Sequence, residues 1–161
     1  LEFSSSIMSL ILSGKVGSNI ASELGTMRVT QQIDALDIMG VNSANYLILP
    51  KVLGLVTIMP FLVIFSAFTG VLGAYATAYI GHIISPSDLT AGLHHAFNEW
   101  FVWMSIIKGL FFAFIIASVS SYFGYTVDGG SVEVGKASTN AVVNSSVFIL
   151  FSDVFLTQLL S

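Results

Sequence analysis

The sequence predicts an all-α membrane protein, a polytopic helical bundle with an amphipathic helix on its cytoplasmic side. Three observations predict it. Apolar residues make up 55% of the 161 residues and charged ones only 9%, whereas a soluble domain carries about 25% charged residues to cover its surface. The mean hydropathy is +0.88. Three apolar runs also approach or exceed the roughly 20 residues that cross a bilayer.

The first element is a short apolar stretch at 7–12, read as the end of a membrane helix covering 1–13. The first residue is Leu1, the stretch is too short to span, and no signal peptide is visible. The chain is therefore expected to be the C-terminal portion of a longer protein. Residues 14–51 follow as a cytoplasmic region with helical patterning. Gly25 reads as a helix stop and Thr26 as the next N-cap. Val29, Ile33 and Leu36 then recur at i, i+4, i+7, one helix face, while Gln32, Asp34 and Asp37 fall elsewhere. Gly40 closes this amphipathic helix, placed at 26–39, and Pro50 marks the next boundary. Its acidic polar face suits a protein partner better than anionic headgroups.

The first membrane helix is 52–80, which holds no charged residue. Pro60, Gly70 and Gly73 lie inside it, tolerable where neighbouring helices cover the freed backbone. Gly70 and Gly73, with Ala74, Ala76 and Ala78, offer a small-residue surface for helix packing. The second membrane helix is 101–123, interrupted by Lys108, and the third is 141–160, with Asp153 inside. Lys15, Arg28, Lys51 and Lys136 all lie in the regions 14–51 and 125–140, which the positive-inside rule puts in the cytoplasm. The loop 81–100 has neither Lys nor Arg. It carries His82, Asp88, His94, His95 and Glu99 to the other side.

Few constellations invite chemistry. Gly14-Lys15-Val16-Gly17-Ser18 is not a P-loop, because the lysine precedes its glycine and no strand leads in. No ATP site is expected in this chain. His95 and Glu99 share a helix face beside His94, yet zinc asks for three or four ligands, so no metal site is expected. The chain has no cysteine and a net charge of −4, which exclude thiolate sites and a basic nucleic-acid face. Lys108 is the informative charge. A lysine mid-membrane costs about 2.5–3.5 kcal/mol on insertion scales and normally faces a bundle interior or a wet cavity. It is the candidate for a substrate cavity, pairing with an acidic group or a lipid phosphate. Other readings are an ion- or proton-coupled secondary transporter using Lys108 and Asp153, an intramembrane hydrolase using His94, His95 and Glu99, and a structural membrane scaffold.

The run from Gly14 to Leu36, GKVGSNIASELGTMRVTQQIDAL, resembles the motif of MlaE-type permeases, G-x-x-G leading into A-E-L-G-x-M-R-x-T-E-Q-I-x-A-L. Met39-Gly40-Val41, Tyr46-Leu47, Pro50 and Lys51 continue the resemblance. A second block is similar at Phe123-Gly124-Tyr125, Gly129-Gly130, Val134-Gly135-Lys136-Ala137, Thr139, Val142-Val143 and Ser146. Ser152-Asp153-Phe155-Leu156 resembles the closing L-D-F-x-L-T. Departures are Gln31 for a usual Glu, Asn42-Ser43 for Asp-Pro, and Lys51 and Lys136 for arginines.

The resemblance covers nearly the whole chain. It implies a multi-pass, non-enzymatic permease subunit of an ATP-driven phospholipid transporter in the bacterial inner membrane, one that maintains the Gram-negative outer membrane. It also implies a homodimer, a cytoplasmic ABC ATPase subunit that binds the ATP, and a periplasmic MCE-domain protein. The helix at 26–39 is then the coupling helix seated in the ATPase. Glu23, Thr26, Arg28, Gln32, Asp34 and Leu36 are the expected coupling residues, with Arg28 foremost.

Overall fold

The computed structural model describes residues 2–81 and 85–160; His82 lies outside the described residues. The described elements are α-helices joined by short turns and one π-helical segment.

Helix α1 (Glu2–Leu12) runs through a π-helical turn (Ser13–Gly17) into α2 (Ser18–Val29). Leu12, Gly17 and Ser18 all keep right-handed helical dihedrals, so the three pieces form one unbroken helix. At 1.5 Å per residue it is about 40 Å long, enough to cross a bilayer. The stretch read as the end of one membrane helix therefore continues well beyond residue 13. Serines make this helix less apolar than the longer ones. Ser5, Ser9 and Ser13 recur every fourth residue and are fully buried, so this helix turns a polar seam inward. Ser9 donates to its own backbone at Ser5 O, and the Ser13 hydroxyl lies 3.0 Å from that of Ser146.

Helix α3 (Gln32–Ile38) is a short cytoplasmic piece, and α4 (Ser43–Gly81) is 39 residues long. Helix α4 starts earlier than expected and passes through Pro50 as well as Pro60. A proline removes its own N–H from the ladder and crowds the carbonyl four residues back, which a membrane helix tolerates where its surroundings satisfy the freed groups. Helix α5 (Pro86–Ala96) lies on the far side, opened by the Ser85 hydroxyl accepting from the Asp88 N–H. Helix α6 (Glu99–Tyr125) and α7 (Ser131–Leu160) complete the fold. Helix α7 begins ten residues before the expected span at 141. Val134 and Ala137 bury its first turns against the chain, so 131–140 is helix rather than loop.

Helix α6 is the centre of the bundle. Met104, Lys108, Phe112, Ile116, Ser120 and Gly124 recur at i+4 along its buried stripe. Against it pack Leu55, Met59 and Val63 of α4, and Ile149 and Leu156 of α7. Two glycines set the spacing. A Cβ on Gly124 would lie 2.7 Å from Ala21 O, so only glycine lets α2 cross there. A Cβ on Gly109 would lie 3.0 Å from Val63. Gly70 and Gly73, the expected packing residues, have no atom of another described element within 4 Å of such a Cβ. The outward faces of α4 and α7 are apolar, with Phe61, Phe65, Phe68, Phe151 and Phe155 exposed. Among the described residues three helices, α4, α6 and α7, are long and apolar enough to cross a membrane.

Candidate functional site

Two places gather the residues singled out by sequence. One is the basic end of the bundle; the other is the interior around Lys108.

At the basic end, the helix break falls later than expected. Gly25 does not stop α2. It is buried, and a Cβ there would meet Val127 and Val134 at 3.2 Å, so its role is close packing. Thr26 is no N-cap; it sits within α2 and its hydroxyl donates to Ser22 O at 2.8 Å. The chain instead reverses at Thr30–Gln31, where Gln31 takes the left-handed conformation (φ 60). The expected helix at 26–39 is thus the end of α2, a left-handed corner, and α3. Gly40, with φ 77, ends α3, and its positive φ suits glycine.

The apolar stripe of this segment also faces inward. Ile33 is fully buried and Val29 packs against Val127, Val134 and Ala137. Leu36 is half-buried. What the corner offers outward is different: Ile38 is 87% exposed and Met39 is 68% exposed, beside the exposed Gln32, Asp34 and Asp37.

Cross-braces fix the corner to the bundle. Arg28 pairs with Asp34 at 3.0 Å, and its guanidinium lies 5.8 Å from the centre of the Tyr125 ring, within cation–π range. The Tyr125 hydroxyl meets Ser43 Oγ at 2.9 Å. The Asp37 carboxylate accepts from the Ser43 N–H at 3.3 Å, which joins α3 to the start of α4. Lys51 on α4 reaches Glu23 on α2 at 2.6 Å. These ion pairs are exposed, and such pairs contribute only about 0–1 kcal/mol each. Together they position α3 rather than hold the fold. The six expected coupling residues, Glu23, Thr26, Arg28, Gln32, Asp34 and Leu36, all lie on α2 and α3 at this corner. Gln31, Asp37, Tyr125 and Lys51 are not among them: Tyr125 and Lys51 meet partners distant in sequence, Gln31 acts through its left-handed backbone, and Asp37 accepts from the Ser43 N–H across the turn.

In the interior, Lys108 is 1% exposed. Its ammonium donates to Thr157 Oγ1 at 2.6 Å and lies 3.3 Å from Asp153 Oδ1. That oxygen makes no hydrogen bond of good geometry, so the contact is one of charge. The other Asp153 oxygen accepts from Ser6 Oγ at 2.9 Å. A pocket of about 320 Å³ opens beside the pair, lined by Phe3, Ser6, Ile7, Leu10, Leu150, Asp153 and Thr157. Three helices thus meet at one charge pair: α1 through Ser6, α6 through Lys108, and α7 through Asp153 and Thr157. His94 lines an apolar pocket with Tyr75 and Phe97. Among the described residues no group of three His, Cys, Asp or Glu gathers to hold a metal ion.

Comparison with known proteins completes the picture. The family model of permease MlaE matches residues 1–159. The chain belongs to the MlaE permease family. A probable ABC transporter permease protein of Rickettsia bellii is 39% identical over 150 residues, which is 93% of this chain and 58% of the relative. One of Synechocystis is 33% identical over 159 residues, 99% of this chain and 60% of the relative. The Arabidopsis thaliana protein TRIGALACTOSYLDIACYLGLYCEROL 1, chloroplastic, is 34% identical over 157 residues, 98% of this chain and 45% of the relative. The chain therefore spans less than two thirds of the length of each of these relatives. Family and apolar helices together make this permease a membrane protein.

Proposed function

We propose that this permease is the membrane subunit of an ATP-driven phospholipid transporter of the bacterial inner membrane, serving the lipid balance of the Gram-negative outer membrane. The observation that carries the reading is the family match over residues 1–159. The subunit is not an enzyme in this reading: a separate cytoplasmic ATPase binds and hydrolyses ATP. The braced corner of α2, α3 and the start of α4 is the seat for that ATPase. Exposed Ile38 and Met39 beside Asp34 and Gln32 provide an apolar and acidic surface for it.

Motion of the ATPase pair would move α3. The corner's ties to Tyr125 and Lys51 carry that motion to α6 and α4, as packed helices shift in discrete steps. Lys108 then borders the substrate cavity through Asp153 and Thr157, which line the pocket beside it. The open faces of Gly70 and Gly73 serve contacts with a second copy in a homodimer, and a periplasmic MCE-domain protein receives or supplies the lipid.

The test is reconstitution of the intact permease and its ATPase in vesicles with a fluorescent phospholipid. ATP-dependent transfer that stops when the ATPase is omitted supports the reading. Transport driven by a proton gradient without any ATPase overturns it.

A further inference from the structure

Five side chains carry positive charge in this chain. Four are paired with carboxylates: Arg28 with Asp34, Lys51 with Glu23, Lys108 with Asp153 and Lys136 with Glu133. Lys15 has no carboxylate partner among the described residues, and the surroundings it has are unusual. It projects from the π-helical turn into a pocket of about 360 Å³, lined by Lys15, Ser18, Asn19 and Ser22 and, from α7, by Ser138. Lys15, Ser18, Asn19 and Ser22 stand at i, i+3, i+4, i+7, one face of a helix.

The donors in this pocket outnumber the acceptors that use them. Ser18 Oγ donates to Gly14 O at 2.5 Å, and Ser138 Oγ donates to Ser18 O at 3.3 Å. The side chains of Asn19 and Ser22 make no hydrogen bond among the described residues, and no carboxylate lines the pocket. An ammonium, an amide and a hydroxyl therefore face one space without a negative charge.

Depth matters as much as chemistry. Trp100, at the outer end of α6, donates to Leu160 O at 3.2 Å, and tryptophans favour the membrane interface. A helix rises about 30 Å over roughly 20 residues, the hydrocarbon thickness. From Trp100 that distance reaches Ser120, whose hydroxyl lies 2.9 Å from the Cβ position of Gly17. The Lys15 pocket is thus at headgroup level, at the end of the bundle where Arg28, Lys51 and Lys136 gather.

We propose that the pocket between the π-helical turn, α2 and α7 binds a phosphate group that carries net negative charge, as on an anionic phospholipid of the cytoplasmic leaflet. Lys15 supplies the charge, and Asn19 and Ser22 the directed hydrogen bonds. The site does not depend on transport, only on the chain's place in the membrane.

The test places the intact permease in phosphatidylcholine nanodiscs containing a minor share of phosphatidylglycerol. Native mass spectrometry then counts the lipid retained. The expected result is a phosphatidylglycerol occupancy that falls about fivefold in Lys15→Gln, the worth of one lysine at an anionic surface. Lys15→Arg restores it, and Lys136→Gln leaves it unchanged. Should Lys15→Gln lose helical content, Ser22→Val takes its place. A second arm adds inorganic phosphate. Displacement of the lipid by phosphate, with a Lys15-dependent thermal shift, supports the anion site with a soluble phosphate as its source. Equal phosphatidylglycerol occupancy in wild type and Lys15→Gln, with no phosphate effect, overturns the proposal.

Discussion

Replacing Asp153 by Asn isolates the ion pair inside the bundle. Lys108 is 1% exposed and Asp153 is 27% exposed on the side chain, so the two partners do not suffer equally from losing each other. At 3.3 Å and an effective dielectric constant near 20, the gross attraction is about 5 kcal/mol. Much of it offsets the desolvation of the lysine. Asp153→Asn leaves that lysine charged, buried and held by Thr157, at a cost of about 3–5 kcal/mol. Lys108→Met leaves Asp153 at the edge of a pocket, still bonded to Ser6, and costs less, about 1–2 kcal/mol. The double variant Lys108→Met with Asp153→Asn removes both charges and costs less than the sum of the single changes. The expected coupling energy is about 1–3 kcal/mol. Reversible unfolding in mixed micelles, followed by circular dichroism, measures all three. Strict additivity, or a larger loss for Lys108→Met than for Asp153→Asn, would refute the reasoning.

Further predictions concern glycine contacts and the corner. Gly124→Ala places a Cβ 2.7 Å from Ala21 O and 2.9 Å from Leu24 Cβ, so α2 and α6 must part. It should cost about 1–3 kcal/mol in the same unfolding assay, whereas Gly70→Ala meets nothing within 4 Å and leaves the chain's own stability unchanged or slightly raised. At Gln31, whose φ is 60, a β-branched residue is strained. Gln31→Val should speed hydrogen exchange across α3, and Gln31→Gly should not.

The three long apolar helices were legible because their length and lack of charge leave no other solvent than lipid. Helix α1 was legible only as a helix end, not as part of a longer helix running into α2, because its buried face is built from Ser5, Ser9 and Ser13, which a hydropathy scale counts as polar. Gly25-Thr26 looked like a helix boundary. Local residue types do not reveal that Val127 and Val134, a hundred residues on, press against that glycine. The true corner uses Gln31, a residue with no left-handed preference, so nothing local announces it. The stripe of Val29, Ile33 and Leu36 was a sound helical signal, but periodicity does not say which neighbour the stripe meets. Lys108 and Asp153 each stood out as charges in apolar runs. Their pairing, with Ser6 and Thr157 completing it, became visible only when α1, α6 and α7 were placed together.

The central claim is that this permease couples to a cytoplasmic ATPase through the corner around Arg28 to move phospholipid. The most direct measurement is mild-detergent purification of the intact protein from its own membrane, with mass spectrometry of everything retained. The account predicts an ATPase subunit and bound phospholipid with the wild type. It predicts loss of the ATPase in Arg28→Glu, which breaks the contacts to Asp34 and Tyr125 while the membrane bundle stays folded. A wild-type protein that emerges alone, with neither ATPase nor phospholipid, would contradict it.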